Sequence, residues 1–407
     1  METLRFLMIT SHYPPDHFGG DARFVQYLSN ELVRRGHEVH VLYNPAVYAA
    51  LSGKHVPSRK DDQTEGVVRH RYEHSLSTLG MLSSYSLGME GPRLDRVRDL
   101  VKEHRLDVVH WHNSKGFIER PTAISGPTSL YTAHDFYSIC PRSNLLRPGY
   151  VACQKARLCQ MCLMRWRRPP QLWRLGGRRP FRLEEGITVI SPSEYTAKRL
   201  GADGVRTSHV LRNFTPDHNQ RAGASESRNI ILYAGLLEKF KGPQTLLKAF
   251  NRTKDAHEFE LWIVGDGSIR RALEDQVDRL GIRERVHIPG FVQPDSLKTL
   301  MEKTAATVIP SECFENSPLI GLESFSMGIP VVGANIGGLP EIIGQESGSM
   351  LFESGNEIAL GDCIVSMWSN RDKLEVQGRK ARNYYLAEHS PEVHTGRYIN
   401  IIRSANR

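Results

Sequence analysis

The same succession of apolar and polar positions occurs in both halves of the chain. Near the N-terminus, the apolar run LRFLMIT is followed by the turn-rich loop SHYPPDHFGGD, by apolar residues at helical spacing and by a second apolar run, HEVHVLY. In the second half, the segments NIILYAG, LLEKFKG, PQTLLKAFNR and FELWIVG repeat this order. Short apolar runs indicate buried strands, and a spacing of about 3.6 residues indicates helices. Each half is therefore predicted to contain a strand–loop–helix–strand unit.

A third unit follows, in which AATVIPS, SPLIGLESFSM and PVVGA predict a strand, a helix and a strand. Strands that alternate with helices imply parallel, doubly wound sheets. A chain of 407 residues is also too long for one small core, since domains average about 150 residues. We predict an α/β fold with two Rossmann-like domains facing a central cleft, because such sheets bind ligands at the carboxyl ends of their strands.

The predicted domains are separated by a change in composition. Residues 214–228 are polar and contain Pro and Gly without apolar periodicity, which is typical of a linker. The N-terminal domain is then predicted over residues 1–213 and the C-terminal domain over residues 229–385. We expect residues 386–407 to form a helix that crosses back to the N-terminal domain.

The composition is that of a soluble globular protein, with 40% hydrophobic and 24% charged residues. The first residues carry no signal-peptide pattern, and the longest uncharged stretch, residues 324–340, is too short to span a bilayer. These features predict a cytoplasmic protein.

The net charge of +8 permits an acidic partner, which could be nucleic acid, an anionic membrane or a phosphorylated small molecule. The densest basic stretch, residues 165–182, mixes arginines with Trp166, Trp173 and Phe181. This mixture suits an anionic membrane surface, here the inner face of the membrane. The alternative is a solvated basic loop, because three prolines in the stretch exclude one continuous helix. Net charge is the only feature of the sequence that favours nucleic acid, and it is too weak on its own, so nucleic acid is not predicted as a partner.

Two glutamates, Glu315 and Glu323, stand eight positions apart in the largely apolar segment ECFENSPLIGLESFSMGIPVV. Ser317 followed by Pro318 predicts a helix with Ser317 as its N-cap and Pro318 at its first position, and Gly328 ends it. Glu315 is thereby placed in the loop after a strand, and Glu323 inside the helix.

The start of this helix is a candidate anion site between the two acids. Free N–H groups around residues 317–320 and the positive end of the helix dipole favour a phosphate. A ligand that carries both phosphate and hydroxyl groups would use the helix start together with Glu315 and Glu323. The alternative, a solvated glutamate pair on a surface helix, suits Glu315 but explains Glu323 poorly, because apolar residues flank it.

The segment ECFENSPLIGLESFSMGIPVVGANIGGLPEII resembles the E-x7-E signature of retaining glycosyltransferase family 4 and the GG-x-PE segment that follows it. Other segments similar to family motifs follow in the family's order: YPPDHFGGDARFVQYLSNELVRRGHEVHVL, LDVVHWHN, YTAHDF, VISPSEYTAKRL, ILYAGLLEKFKG and LWIVGDG. The resemblance covers nearly the whole chain. Any one motif is weak, whereas the ordered set is highly specific.

The resemblance implies a GT-B fold and transfer of a sugar from a nucleotide diphosphate sugar to an acceptor hydroxyl, with retention of anomeric configuration. It implies an N-terminal acceptor domain, a C-terminal nucleotide-sugar domain, a glycan or lipid-linked acceptor, and no cofactor required for catalysis. The donor would serve as substrate in polysaccharide, lipid-linked glycan or glycoconjugate synthesis.

The resemblance also assigns roles to matching residues. Glu315 would hold the donor sugar's hydroxyls, Glu323 the ribose, and Lys241 the diphosphate, where its charge would stabilise the leaving group. His134 would touch the donor sugar, and backbone amides at Gly19 and Gly20 would approach the phosphates. The remaining candidate donor-binding residues are Gly235, Lys239, Gly265, Asn316, Ser317, Pro318 and Leu319.

One position departs from the family pattern. Family members usually carry an arginine directly after Gly235, where this chain has Leu236, and a leucine cannot donate to phosphate. Either Lys239 or another basic group substitutes, or phosphate binding is weakened, or catalysis is altered. A nucleotide-sugar epimerase of the same fold and a nucleotide-sugar-binding protein without turnover are the alternative functions.

Four of the six cysteines form a C-x12-C-x5-C-x2-C pattern in a loop at about residues 140–165. In a cytosolic protein this pattern indicates a structural zinc or an iron–sulfur site before it indicates disulfides, although free or paired thiols remain the alternative. The candidate ligands are Cys140, Cys153, Cys159 and Cys162.

Overall fold

The computed structural model of the chain describes residues 3–17, 19–52, 66–72, 77–154, 159–175, 183–218 and 228–405. The chain forms two compact units. The first contains Met1–Asn213 together with His394–Arg407, and the second contains Phe214–Val393. Most of the predicted linker and the predicted aromatic Phe181 lie outside the described residues.

The first unit is built on a seven-stranded parallel sheet with the order β3-β2-β1-β4-β5-β8-β9. A separate antiparallel pair, β6 and β7, lies in the cysteine-containing loop. The strands are β1 (Arg5–Ile9), β2 (Glu38–Tyr43), β3 (Val67–Arg71), β4 (Val108–Trp111), β5 (Thr128–Thr132), β6 (Leu146–Arg147), β7 (Val151–Ala152), β8 (Ile187–Ser191) and β9 (His209–Val210).

The helices of this unit are α1 (Gly20–Arg34), α2 (Pro45–Ser52), α3 (Ser77–Leu87), α4 (Gly91–Glu103), α5 (Cys159–Arg165) and α6 (Glu194–Ala202), with a 3-10 helix at Leu172–Arg174. The helical pattern predicted after the first strand is confirmed by α1, which buries Phe24, Leu28 and Leu32. Strand β1 is a central strand of the sheet, and its residues from Phe6 to Ile9 are fully buried. This burial explains why its sequence is a continuous apolar run rather than an alternating one.

The second unit contains a six-stranded parallel sheet with the order β12-β11-β10-β13-β14-β15. The strands are β10 (Ile230–Ala234), β11 (Glu260–Val264), β12 (Val286–Gly290), β13 (Thr304–Ile309), β14 (Val331–Ala334) and β15 (Met350–Phe352). Every residue of β13 is buried. The predicted α/β class with two parallel sheets is confirmed.

The helices that cover this sheet and end the chain are α7 (Pro243–Thr253), α8 (Arg270–Leu280), α9 (Pro294–Glu302), α10 (Leu319–Ser326), α11 (Leu339–Ile342), α12 (Glu357–Ser369), α13 (Leu374–Glu388) and α14 (Pro391–Ala405). Short 3-10 helices lie at Lys239–Lys241, Lys254–Ala256, Gln345–Ser347 and Arg371–Lys373. Within the described ranges, no helix combines the length and the apolar character needed to cross a membrane.

The end of the chain returns to the first unit. The sequence predicts one helix over residues 386–407, whereas the structure has a break between α13 and α14 at Pro391. Proline lacks the N–H that would continue α13, and it suits the first turn of a new helix. Tyr398 on α14 is fully buried. Its hydroxyl lies 2.8 Å from Nδ1 of His110, and its ring stacks on Phe6 of β1.

Candidate functional site

In the second unit, a lysine and a glutamate meet just beyond the carboxyl end of β13. The Nζ of Lys241 lies 2.6 Å from Oε1 of Glu315. The hydroxyl of Ser311 donates to the same Oε1 at 2.6 Å. Both charged side chains are mostly buried, with 26% of Lys241 and 12% of Glu315 exposed. The structure therefore brings together two of the three residues that the family pattern marks as catalytic.

The pair fixes the charge of the lysine. Burial by itself lowers the pKa of Lys241, but the neighbouring Glu315 carboxylate outweighs burial, and the net pKa is raised. The lysine is therefore a cation at neutral pH. Among the contacts of the described residues, Oε2 of Glu315 accepts no hydrogen bond, and Nζ of Lys241 donates only one. The pair consequently keeps both an anionic acceptor and cationic donors for a ligand.

Backbone contacts hold the lysine loop against the glutamate loop. Lys241 ends a 3-10 helix, and Gly242 follows in the left-handed conformation with φ of 73°. A Cβ at Gly242 would lie 1.9 Å from the carbonyl oxygen of Pro310, so only glycine fits there. The backbone N–H of Glu312 donates to the carbonyl of Phe240 at 2.9 Å. These backbone contacts, together with the attraction between the two charges, therefore hold Lys241 next to Glu315.

The Gly-Gly segment after β14 closes against the backbone of Glu315. The N–H of Gly338 donates to the Glu315 carbonyl at 2.6 Å. Gly337 has φ of 63°, and a Cβ there would lie 2.5 Å from the same carbonyl oxygen. Because a side chain at position 337 would collide with this carbonyl oxygen, only glycine fits where the segment packs against Glu315.

Helix α10 follows Glu315 and begins one residue later than predicted. Pro318 occupies the N-cap position in an extended conformation, and the helix starts at Leu319. The prediction of Ser317 as N-cap and Pro318 as first helical residue is therefore wrong by one position. The shift is physically reasonable because the N-cap residue accepts the first helical bond through its carbonyl, and Pro318 does so from Gly321 at 3.1 Å.

The other predicted donor-binding residues of this region surround the helix start. Asn316, Ser317 and Leu319 are buried. Glu323 is half-buried on α10, next to the fully buried Leu322. Its position within the helix agrees with the sequence, and its proposed ribose contact stays a prediction.

The loop with the departure from the family pattern lies at the end of β10. Leu236 is 53% exposed, and its carbonyl accepts a hydrogen bond from the Tyr233 hydroxyl at 2.6 Å. Lys239, three residues later, is also exposed. Gly265 approaches this loop so closely that a Cβ would lie 1.8 Å from the carbonyl oxygen of Gly235. Gly235 and Gly265, both predicted at the donor site, are thus brought together by their backbones.

In the first unit, the predicted glycine pair stands at the start of α1. Gly19 is the N-cap with φ of 89°, and α1 begins at Gly20. Both glycines are exposed. The first N–H groups of a helix have no partner within it, so this end of α1 can donate to an anion.

His134 is half-buried in a group of aromatic rings. Its Nε2 lies 2.9 Å from Nδ1 of His112, and its ring packs edge-on against Phe24 at 5.2 Å. His110 and His112, which strand alternation predicts on one face, have ring centroids 4.0 Å apart. Burial lowers the pKa of His134 to about 3. The residue is therefore neutral at physiological pH and can bind a ligand only as a neutral donor or acceptor.

The structure adds residues that the sequence alone did not single out. Asp135, next to His134, has its pKa raised to about 6 by burial, and it accepts hydrogen bonds from the Tyr137 backbone and the Asn113 side chain. Ser311 contacts Glu315 directly. Their positions in the sequence could have identified Asp135 and Ser311, because each follows the end of a buried parallel strand within three residues.

Of the four clustered cysteines, Cys140 lies in the loop before β6, Cys153 directly after β7, and Cys159 and Cys162 on α5, and within the described structure no disulfide joins them. Burial, together with the neighbouring Cys140, Cys153 and Cys162, raises the pKa of Cys159 to about 11. The thiols are thus close enough to interact. In the described chain, however, the sole set of three ligand atoms within 4.8 Å of one another comes from His40, His70 and His104.

Comparison with known proteins places these features in a family. The model for glycosyltransferase family 4 matches residues 18–217, and the model for glycosyl transferases group 1 matches residues 214–384. The chain belongs to glycosyltransferase family 4. An uncharacterized glycosyltransferase of Methanocaldococcus jannaschii is 25% identical to this family member over 393 residues, which cover 93% of each chain. Glycogen synthase of Mycobacterium tuberculosis is 27% identical over 84% of this chain and 80% of its own.

Solved structures share the fold of this family 4 member. Sucrose-phosphate synthase from Thermosynechococcus elongatus matches with a TM-score of 0.71 at 16% identity, over 98% of both chains. Anabaena HepE in complex with UDP-glucose matches with a TM-score of 0.66 at 16% identity, over 98% of this chain and 100% of its own. The predicted GT-B fold is confirmed.

Proposed function

We propose that the protein is a retaining glycosyltransferase that moves a sugar from a nucleotide diphosphate sugar to an acceptor hydroxyl. The observation that carries this proposal is the pair of Lys241 and Glu315, 2.6 Å apart at the carboxyl end of a parallel strand. Ligands of doubly wound sheets bind at this end. The names of relatives, which include glycogen synthase and sucrose-phosphate synthase, support a hexose donor.

In the proposed reaction, the bond between the anomeric carbon and the diphosphate oxygen breaks, and the oxygen keeps the electron pair. The ammonium group of Lys241 would stabilise that developing charge. The anomeric carbon bonds to the acceptor oxygen on the same face, and the acceptor proton passes to the departing phosphate. Glu315 holds the sugar's hydroxyls through its carboxylate. No redox change or resident cofactor is needed for this balance.

The remaining groups would bind the nucleotide part of the donor. The N–H groups at the start of α10, near Ser317 and Leu319, would donate to the phosphates, and Glu323 would accept from the ribose hydroxyls. The structure with UDP-glucose bound to Anabaena HepE supports a uridine nucleotide. We propose that exposed Lys239 supplies the cation that Leu236 lacks.

We assign donor and acceptor contacts in the first unit to Gly19, Gly20 and His134. The two glycines offer backbone donors without a Cβ in the way. His134 offers one neutral ring, because its low pKa excludes a charged form at neutral pH.

We further propose that the acceptor is a glycan or lipid-linked molecule reached at the inner face of an anionic membrane. The described part of the basic stretch exposes two apolar side chains, Leu172 and Leu175, and α5, which leads into it, exposes Met161 and Met164. It also exposes three arginines, Arg165, Arg167 and Arg168. Apolar and cationic groups together suit a lipid headgroup surface.

Vesicle flotation tests the membrane proposal. The chain should float with vesicles that contain phosphatidylglycerol and stay behind with neutral phosphatidylcholine vesicles. A variant with Met161→Ser and Met164→Ser should float less, whereas Ile358→Ser with Leu386→Ser, which changes equally exposed apolar residues of the second unit, should not. Equal recovery of the wild type from both kinds of vesicle, or no recovery, would contradict the proposal.

We also propose that Cys140, Cys153, Cys159 and Cys162 bind one structural zinc ion in a tetrahedral site. Their spacing in one loop supports it, and a shared cation would stabilise thiolates that raise one another's pKa. Binding would draw the thiols together, since, among the described residues, no three of their sulfur atoms lie within 4.8 Å of one another. The purified chain should contain zinc that Cys159→Ser with Cys162→Ser removes and that Cys363→Ser, the half-buried control in the second unit, retains. Elemental analysis that finds iron or no metal with these thiols would contradict zinc.

The activity proposal is tested by a donor screen. The chain is incubated with UDP-, GDP- and ADP-sugars, and the products are separated by chromatography, which resolves isomeric sugars, and identified by mass spectrometry. A transferase releases nucleotide diphosphate and passes the sugar to water or an acceptor. An isomeric nucleotide sugar would indicate an epimerase, and binding without conversion would indicate a protein without turnover. Either of these results would overturn the proposal.

A further inference from the structure

Three histidines meet on one face of the first unit, apart from the residues assigned to sugar transfer. His40 is on β2, His70 is on the neighbouring edge strand β3, and His104 follows α4. One ring nitrogen from each lies within 4.8 Å of the others. We call these residues the histidine cluster, and we propose that it binds a divalent transition metal of the zinc class.

The hydrogen bonds of His40 support this proposal. Its Nε2 lies 2.7 Å from a carboxylate oxygen of Glu38, so the proton is on Nε2 and the lone pair is on Nδ1. That Nδ1 lies 2.8 Å from Nε2 of His70. Metal-binding histidines characteristically donate their second N–H to a carboxylate, which fixes the tautomer and orients the ring.

Without a metal, the cluster leaves one polar atom unsatisfied. A neutral His70 can donate from Nε2 to His40, but Nε2 of His104 is buried without a hydrogen-bond partner within the described structure. A buried ring nitrogen in that state is destabilising, and the closest approach to it of a Glu103 oxygen, 3.6 Å, is beyond hydrogen-bond distance. A metal ion would use this nitrogen's lone pair or reorient the ring to use the other.

The spacing of the rings is close to that of a three-histidine metal site. Zinc–nitrogen bonds of about 2.0–2.1 Å place tetrahedral ligand atoms about 3.3 Å apart. The observed 2.8 Å between His40 and His70 requires a ring movement of about half an ångström. His40 is fully buried, while His70 and His104 are partly exposed, so a metal ion can enter from their side.

The charges around the cluster are compatible with a cation. Glu38 and Glu103 face the histidines, with Glu103 3.6 Å from His104. The neighbouring cation Arg96 is 3.6 Å from Glu103 and is paired with it. Imidazole ligands favour zinc, copper, nickel and cobalt over magnesium or calcium. Glu103 or water would complete the coordination.

The bound metal would have a structural role. Strand β3 is the outer strand of the sheet and pairs only with β2 among the strands that the structure describes. A metal held by both strands and by the end of α4 would tie this edge to the unit. Because the metal binds the folded state, it should raise Tm, and the increase should grow with the logarithm of the free metal concentration above Kd.

Zinc counting on the full chain tests the proposal. After removal of metal with EDTA and dialysis against zinc, the wild type should hold one more equivalent than the His70→Ala, His104→Ala double variant. The His209→Ala variant, which removes a partly exposed histidine elsewhere in the unit, should match the wild type. The cysteine loop is the same in all three chains and cancels in the difference.

Two further measurements keep the test informative if the double variant folds poorly. Glu38→Gln removes only the supporting carboxylate and should lower zinc affinity about 10- to 100-fold. Cobalt bound by the wild-type cluster should add ligand-field bands without the thiolate charge-transfer band of a cysteine site. A zinc count unchanged in the double variant, or unchanged zinc affinity in Glu38→Gln, would overturn the proposal.

Discussion

At the residue scale, the role of the Glu315 carboxylate can be tested with a substitution that keeps the shape of the side chain. Glu315→Gln keeps the contacts' geometry but removes the charge that holds Lys241. We expect kcat to fall about 10²- to 10³-fold, the usual loss when a preorganised electrostatic contact is removed. The initial rate of nucleotide release measures the effect.

The matched control is an exposed pair of the same type. Lys248 of α7 lies 3.5 Å from Glu357 of α12, and both side chains are exposed. Because exposed pairs contribute little, Glu357→Gln should change the rate by less than about twofold. A Glu315→Gln variant with the rate of the wild type would remove this residue from the proposed chemistry.

Lys241 makes a separate prediction. Lys241→Ala deletes the cation expected at the diphosphate, so both the rate and the affinity for nucleotide diphosphate should fall. Lys248→Ala on the next helix should leave both unchanged. Nucleotide binding measured by calorimetry distinguishes the effect from lost chemistry alone. Unchanged binding in Lys241→Ala would contradict the proposed phosphate contact.

The half-buried His134 predicts how the first unit responds to acid. The pKa of His134 is about 3 in the folded state, compared with 6.5 for an unperturbed histidine. As the pH falls, the unfolded state therefore binds a proton at this residue before the folded state does. This contribution to stability is complete above pH 6.5 and is lost as the pH falls toward 3. The slope is about 1.4 kcal/mol per pH unit within this window. Buried His112 acts with the same sign.

Denaturation by urea at pH 7, 6 and 5 measures this slope. His134→Gln, which keeps a neutral polar side chain, should flatten the pH dependence, and His209→Gln should not. The neighbouring Asp135 acts with the opposite sign between pH 3.8 and about 6, since its folded pKa is raised. A slope that is unchanged in His134→Gln would show that this histidine is not kept neutral by burial.

The sequence identifies some of the site residues and misses others. Lys241 and Glu315 lie in motifs with a chemical pattern. Ser311 and Asp135 do not, because their roles depend on which loops fold next to each other. Leu236 was visible as a departure, but its exposure and its carbonyl bond to Tyr233 are three-dimensional facts.

At the element scale, the close contact between the loop before α7 and the loop after β13 depends on one glycine. Gly242→Ala places a Cβ against the carbonyl of Pro310 in a backbone region that already disfavours alanine. We expect a cost of about 3 kcal/mol or more and a large loss of activity, because Lys241 is displaced. Thermal unfolding and the nucleotide-release assay measure the two effects.

Gly281 provides the control for backbone conformation. It ends α8 with φ of 63°, and a Cβ there meets nothing within 4 Å. Gly281→Ala should therefore cost only about 1–2 kcal/mol and retain activity. Equal losses in the two variants would mean that conformation, rather than the contact with Pro310, decides the role of Gly242.

The elements themselves were the most predictable level. Continuous apolar runs and helical spacing located central strands and helices of each unit, such as β1 with α1 and β10 with α7, because burial on a parallel sheet leaves a strong pattern. Helix ends were less predictable. Pro318 could stand before or within α10, and the choice depends on backbone bonds such as Gly321 to Pro318. The break at Pro391 was likewise not anticipated.

At the scale of the whole molecule, the first unit is completed by the last helix of the chain. Tyr398 is fully buried and bonded to His110. Tyr398→Ala should destabilise the first unit by about 3–5 kcal/mol, whereas Tyr398→Phe loses only the hydroxyl and should cost about 1–3 kcal/mol. The exposed Arg403→Ala is the control. Equal stability of the wild type and Tyr398→Ala would contradict this dependence.

The parts of this organisation that concern distant segments are the hardest to derive from composition. The alternation of strands and helices predicts two sheets, since each half carries the pattern. The expectation that residues 386–407 cross back to the N-terminal domain does not rest on a local pattern of apolar and polar positions. The structure groups His394–Arg407 with Met1–Asn213. That association is set by tertiary burial of residues such as Tyr398.

The anomeric configuration of the first product tests the central proposal most directly. The chain is given the α-linked nucleotide sugar that it turns over, and the anomeric configuration of the glycoside product is determined by proton NMR. We expect an α-linked product in the wild type and at least a hundredfold less product with Glu315→Gln. A β-linked product, or transfer that does not depend on Glu315, would contradict the account.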